Sequence, residues 1–276
     1  MTQTATSWLT ELTNKYTPSP SQFAAARGHR ASIETRLDLE LGVREMFEIG
    51  SLKQGTGVRA YSDADFLVSL KGIQPTSVWT MLTRVKTSLQ GRFPSTEIVI
   101  RRPAVVCRFS DGDVEIVPGY PGASGYFISD PASESGWMKT YPKDQNNYVN
   151  RVNNKHDGKV KLLARQVKVW KYRREVPVSS CYLEMRAAQH MDGESSYDAL
   201  WDLHAALKKM SDAGLAAMND PSGLGSRFGS CSSESTKKDA LSKLERAVTR
   251  ARKAKEYAKQ ADHKNAIEQL ELLFAQ

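Results

Sequence analysis

Long apolar runs are missing from this 276-residue chain. No stretch of about 18 or more consecutive hydrophobic residues occurs, so no membrane span is expected. The N-terminal stretch MTQTATSWLTELTNKY has no basic segment leading into an apolar one, and no signal peptide is expected either. Cysteine is scarce: Cys107, Cys181 and Cys231 are scattered, odd in number and without metal-ligand spacing. Two of the three are expected as small core residues, in a cytoplasmic protein. The five histidines (His29, His156, His190, His204, His263) form no spaced cluster, so neither a zinc site nor a histidine general base is expected. There is no internal repeat and no long low-complexity tract.

What is plentiful is positive charge. The formal net charge is +8, within an otherwise ordinary composition for a globular protein (40% hydrophobic, 25% charged). Such an excess favours an anionic partner, nucleic acid or nucleoside triphosphate, and charge alone does not choose between them. Much of it lies between Lys237 and Lys264, in a segment that reads as a C-terminal helix with exposed basic positions.

Periodicity divides the chain. After the break at Thr17-Pro18-Ser19-Pro20, residues Ser21 to Val43 read as a long helix with Ser21 as N-cap. Met46–Ile49 alternates like a strand and runs into Gly50-Ser51; a polar loop leads to Asp63, and Asp65–Val68 resumes a strand. Val78, Leu82, Val85 and Leu89 predict a helix over Ser77–Gln90, with Gly91 as its stop. Glu97–Ile100, Ala104–Phe109 and Val114–Val117 read as strands, the last two joined at Asp111-Gly112, a hairpin signal. Beyond about Asp130 helical patterns take over, at Asn146–Arg174, Cys181–His190, Ser196–Ala213 and Lys237–Leu273, with a Ser/Gly-rich loop starting at Asn219. The expectation is an α+β fold. Residues 1–125 form an α/β lobe with a small, largely antiparallel sheet, residues 126–276 form a helical lobe, and the active cleft lies between them.

The densest chemical signal is IGSLKQGTGVRAYSDADFLV, from Ile49 to Val68. Asp63 and Asp65 are two apart on an expected strand, so both carboxylates point to one face. Mg²⁺ takes hard oxygen ligands and shares them with substrate phosphates, a role that suits such a pair. Upstream, Gly50 lets backbone amides approach a phosphate and the Ser51 hydroxyl adds a donor. A two-metal centre needs a third carboxylate from a neighbouring strand. Asp113 and Glu115 share one face of the hairpin strand, and Glu115, deeper in it, is the better ligand. Tyr120 and Trp137 are candidates to stack on a base, with packing the commoner role for either.

These segments resemble the polymerase-β-type nucleotidyltransferases, and within them the branch that holds the oligoadenylate synthases, cyclic GMP–AMP synthase and the bacterial CD-NTases. The resemblance rests on GSLKQGTGVRAYSDADFLV followed by VEIVP, on Val160–Lys171 with its Lys-x-Trp, on Ser179-Ser180-Cys181-Tyr182-Leu183-Glu184, on Asp220-Pro221 and on the Ala-rich terminal helix. It implies that Asp63, Asp65 and Glu115 hold two Mg²⁺ (or Mn²⁺) ions as the catalytic centre. It also implies that Gly50, Ser51, Lys168 and Ser180 bind the donor nucleotide. Glu115 stands where the family usually has aspartate, one methylene longer.

The implied activity is template-independent joining of NTPs (ATP, GTP or others) into a cyclic or linear oligonucleotide signal, with release of pyrophosphate. The implied setting is bacterial anti-phage defence, in which a downstream effector is reached through the product and RNA or a protein serves as activator. Two other readings stay open: nucleotide addition to RNA 3′ ends or to a protein, and a nucleotide-binding regulator with a spent site. The zinc-bearing insertion of cyclic GMP–AMP synthase has no counterpart in the Cys/His spacing.

Overall fold

The computed structural model describes residues 3–19, 24, 27–61, 63–131, 136–225 and 227–276. In the first half, strands β1 (Val43–Ile49), β2 (Ala64–Leu70), β3 (Glu97–Arg101), β4 (Ala104–Phe109) and β5 (Gly112–Pro121) form a sheet in the order β1-β2-β5-β4-β3. Strand β6 (Tyr126–Ser129) pairs with the far end of β5, and β7 (Trp137–Thr140) pairs with β6. The sheet is mixed, because β2 and β5 run parallel while the other pairs are antiparallel. β6 and β7, which periodicity did not reveal, carry the sheet beyond residue 125.

Side-chain alternation along the strands makes two faces. Phe66, Val68, Val114 and Ile116 pack beneath helices α2 (Arg30–Leu41) and α4 (Val78–Arg92), which contribute Ile33, Leu37, Met81, Leu82, Val85 and Leu89. Leu67 and Val117 face the other way, with Tyr126 and Ile128. Asp65 and Glu115 share the parity of this second face. The short helix α3 (Gly50–Gln54) follows β1 directly.

The helical half comprises α5 (Pro142–Lys155), α6 (Lys159–Arg173), α7 (Ser180–Asp192), α8 (Ala199–Asp212), α9 (Glu234–Lys259) and α10 (His263–Phe274) around a separate core that includes Trp170 and Tyr182. Helix α1 (Ala5–Lys15) belongs to this core, with Ala5, Leu9 and Leu12 buried in it. An isolated helix of 11 residues is marginal in water. Burying one side chain such as Leu9 stabilises by about 1.5–3 kcal/mol, enough to fix it there.

Several element boundaries differ from those that periodicity gives. The helix expected over Ser21–Val43 ends at Leu41, and Val43 opens β1; Gly42, at φ 70°, reverses the chain between them. Ser21 lies outside the described residues. Gly91 does not stop α4, which continues to Arg92. The hairpin turn is Ser110-Asp111, because Gly112 already pairs with Phe109. The Asn146–Arg174 pattern is two helices, separated where Asp157 (φ 48°) and Gly158 (φ 85°) turn left-handed. The Lys237–Leu273 pattern is a helical hairpin that reverses at Ala261 (φ 57°), with Asp262 capping α10 through the Asn265 amide. Neither Gly nor Pro marks that reversal, which is why periodicity ran through it. Among the described residues no helix is long and apolar enough to cross a membrane.

Candidate active site

The second face of the sheet, the C-terminal half of α6 and the N-terminal part of α7 enclose a cleft of about 550 Å³. Gly50, Ser51, Asp63, Asp65, Glu115, Lys168 and Ser180 all line it, brought together from the ends of β1 and β2, from β5, and from two helices of the other lobe. Asp65 and Glu115 are register partners across the parallel β2/β5 pair. Asp63 precedes β2 rather than lying on it, since the strand begins at Ala64. Asp113 is not among the lining residues.

Gly50 is fixed by two constraints. Its φ is +66°, the left-handed region that favours glycine, and a Cβ there would collide with the Asp65 carboxylate, 2.8 Å from Cγ. This turn therefore packs directly on the carboxylate, a closer coupling than a phosphate turn alone requires.

The carboxylates repel one another and are poorly hydrated. Burial and the neighbouring Asp63 charge push the Asp65 carboxyl up to about 7, against partial relief from Lys168 and Arg101. Burial raises Asp63 as well, and Arg101 opposes the rise. Arg101, at the end of β3, bridges the group: its guanidinium lies 3.3 Å from Asp63 Oδ2 and donates to Glu115 Oε1. Three hard oxygen donors from adjacent chain segments, one raised by burial and by the neighbouring Asp63 charge, fit a divalent cation chemically. In this structure they are turned to Arg101, and among the described residues no group of three His, Cys, Asp or Glu side chains is disposed as a closed metal site.

Opposite them, Lys168 is fully buried, with Nζ 3.9 Å from Glu184 and without a hydrogen bond. Glu184 also accepts from the Thr56 hydroxyl, and from Gln54 once that amide is turned to face it (2.8 and 3.2 Å). Arg165 donates to the carbonyls of Gly55 and Gly57, at 2.8 Å each. The loop that follows the Gly50-Ser51 turn is thus gripped by two helices of the helical lobe. Ser180 accepts from Lys171 Nζ at 2.5 Å and lies 3.2 Å from the Tyr172 hydroxyl. Burial and the Lys168 and Arg101 charges push Lys171 down to about 8. Tyr172 stacks on Tyr61 at 4.7 Å between centroids.

Arg101, Glu184, Arg165, Lys171 and the Tyr61–Tyr172 pair were not singled out from the sequence. Tyr61, Arg165, Lys171 and Glu184 stood inside the motif segments, but no periodicity distinguishes Arg101 from a solvated strand end. Cys107 is buried as expected, whereas Cys181 is exposed and lines the cleft, and Cys231 is only partly covered. Tyr120 and Trp137 pack edge to face on one another in the sheet-lobe core, not in the cleft lining.

Residues 1–153 match the Second Messenger Oligonucleotide or Dinucleotide Synthetase domain. No curated protein matches the chain by sequence. Among solved structures, E. coli MS115-1 CdnC in a complex with HORMA-deltaN superposes with a TM-score of 0.74 at 16% identity, covering 96% of each chain. The Bradyrhizobium diazoefficiens CD-NTase CdnG in complex with GTP gives 0.73 at 12% identity, over 99% of this chain and 98% of that one. The Vibrio cholerae DncV cyclic AMP-GMP synthase in complex with the linear intermediate 5' pppA(3',5')pG gives 0.63 at 16% identity, over 83% of this chain and 68% of that one. At these identities the likeness is one of fold.

Proposed function

The chain belongs to the family of second messenger oligonucleotide or dinucleotide synthetases, and from that premise we propose that it joins nucleoside triphosphates, without a template, into a cyclic or linear oligonucleotide. The observation that carries this reading is the convergence of Gly50, Ser51, Asp63, Asp65, Glu115, Lys168 and Ser180 on one cleft between the sheet and the helices. Asp63, Asp65 and Glu115 would hold two Mg²⁺ or Mn²⁺ ions, which supply activation of the attacking ribose hydroxyl and neutralisation of the leaving pyrophosphate. The Gly50-Ser51 turn offers its amides and a hydroxyl to the donor triphosphate. Lys168, whose ammonium has no hydrogen bond, would add positive charge where the leaving group gains negative charge. Ser180, held by Lys171 and Tyr172, presents its hydroxyl from the opposite wall.

ATP and GTP are the substrates to try first, since relatives of this fold are recorded with GTP and with an ATP/GTP-derived intermediate. A role in anti-phage signalling follows from the family reading, with an effector that responds to the product and with RNA or a protein such as the HORMA partner of CdnC as activator. Purified protein incubated with α-labelled NTPs and Mg²⁺ or Mn²⁺ should give small phosphatase-resistant products that chromatography resolves. Asp63→Ala with Asp65→Ala should abolish them without loss of fold. Product from the double variant, or label that enters only added tRNA or protein, would defeat this reading.

One observation favours a second reading. Arg101 occupies Glu115 and Asp63, and an arginine that stays there leaves a cleft that binds NTPs without turning them over. Calorimetric NTP binding with no pyrophosphate release under either metal would select it.

A further inference from the structure

On the far side of α6 from the cleft lies a second, larger hollow of about 710 Å³. Its walls are the C-terminal end of α6 with Arg174, one face of α9 and the end of α10, and its cations are Arg174, Lys243, Arg246, Arg250 and Lys253. Glu245 is the acidic side chain among the lining residues.

Several cations elsewhere on the helical surface are paired with carboxylates. Arg252 pairs with Glu256, Lys208 with Asp212 and Arg151 with Asp192. Around the hollow, Arg246 is held by Ser242, Arg250 by the Gln269 side-chain amide oxygen and Arg174 by the Leu273 backbone carbonyl, all neutral acceptors. Lys253 has neither a hydrogen-bond nor an ion-pair partner among the described residues. Only Lys243 has a carboxylate, Asp239. Neutral partners orient the guanidinium groups while leaving their charge uncompensated. Burial and the like charges of Arg250, Arg173 and Arg246 depress Arg174 below the ordinary arginine value.

The geometry is linear. Lys243, Arg246, Arg250 and Lys253 follow one stripe of α9 at helical spacing, about 15 Å from end to end. Trp170, the aromatic in the lining, is only 2% exposed and offers no face to a base. A ligand here would be recognised by a row of negative charges and not by stacked bases.

We infer that this hollow is a binding site, separate from the catalytic cleft, for a chain of phosphates such as the backbone of a nucleic-acid strand. Planar guanidinium groups match phosphate oxygens in pairs, and four of the five cations are free of competing carboxylates. The inference does not depend on turnover in the cleft. It does link the two places physically, because α6 carries Lys168 on the cleft side and Trp170, followed by its capping residue Arg174, on this one.

Fluorescence anisotropy with a short labelled single-stranded RNA of mixed sequence tests it. The parent protein should bind with an affinity that falls steeply as salt rises. Arg246→Gln, Arg250→Gln and Lys253→Gln together should weaken binding at least about tenfold and flatten the logarithmic salt slope by about 2–3. Arg246→Lys with Arg250→Lys should retain most of the affinity, and Lys253→Gln alone, at a side chain without partners, gives a measurable loss even if the triple variant fails to fold. Competition with unlabelled DNA and with inorganic tripolyphosphate distinguishes a strand from a small polyphosphate, and both are the chemistry inferred. Two results would overturn the site: no binding of RNA or tripolyphosphate by the parent, or equal affinity and salt slope in parent and triple variant.

Discussion

Asp65 is packed against the Gly50 turn and beside Glu115, and burial together with the Asp63 charge holds its carboxyl near 7 instead of 3.8. The folded protein therefore keeps a proton that the unfolded chain releases between about pH 4 and 7. Stability from this group is fully present below the ordinary value and is lost as pH rises through about 7. Asp65→Asn removes the titration, so thermal melting of the variant should match the parent near pH 4 and exceed it at pH 8, while synthesis is lost. The gain should be about 2–4 °C for each kcal/mol of strain relieved. Equal melting temperatures at both pH values would show that Asp65 is not held protonated by the cleft. The two-residue spacing of Asp63 and Asp65 exposed this pair in the sequence as a local pattern, although only Asp65 lies on β2. Arg101, which neutralises Asp63 and Glu115, is separated from them along the chain, and nothing local marks it.

At the scale of elements, the loop from Gly55 to Gly57 is decided by a helix of the other lobe. Arg165, buried on α6, donates to both glycine carbonyls, and Glu184 on α7 takes the Thr56 hydroxyl. Removing a charged donor from the Gly55 and Gly57 carbonyls, of which only the Gly57 contact is buried, costs about 3 kcal/mol, so Arg165→Met should lower the melting temperature by about 6–12 °C. Because this loop continues the Gly50-Ser51 turn, the KM for ATP should rise more than kcat falls, and Arg165→Lys should restore part of both. A variant that is less stable but has the parental KM would mean that the loop does not need Arg165 for its position. The strands and α4 were legible because their alternation or helical spacing is intrinsic. The reversal at Ala261 was not, because alanine adopts the left-handed turn only under the packing of α9 on α10.

Across the whole molecule, the two cores meet at the cleft through a few buried polar contacts: Lys168 with Glu184, Glu184 with Thr56, and Arg165 with the glycine loop. A nucleotide that touches both walls should stabilise both lobes at once. At a hundredfold excess over its Kd, a ligand bound only by the folded state adds about 2.7 kcal/mol, so MgATP should raise a single calorimetric transition by about 5–10 °C. Two separate transitions of which only one moves would show that the nucleotide engages one lobe. Helix α1, which comes first in the chain, is buried in the helical core with Phe274.

By itself the sequence determined the strands, most helices, the two-part texture of the chain and the residue types of the cleft. Each of these follows from short-range periodicity or from side-chain chemistry at fixed spacing. Only the tertiary structure decided that Asp65 and Glu115 are neighbours on parallel strands and that Gly50 abuts a carboxylate. It also decided that Arg101 and Glu184 hold the site from both sides, and that four cations along α9 and α6 face one hollow without acidic partners. These depend on which distant segments pack together, and that choice is made by the burial of two whole cores, which no local window contains.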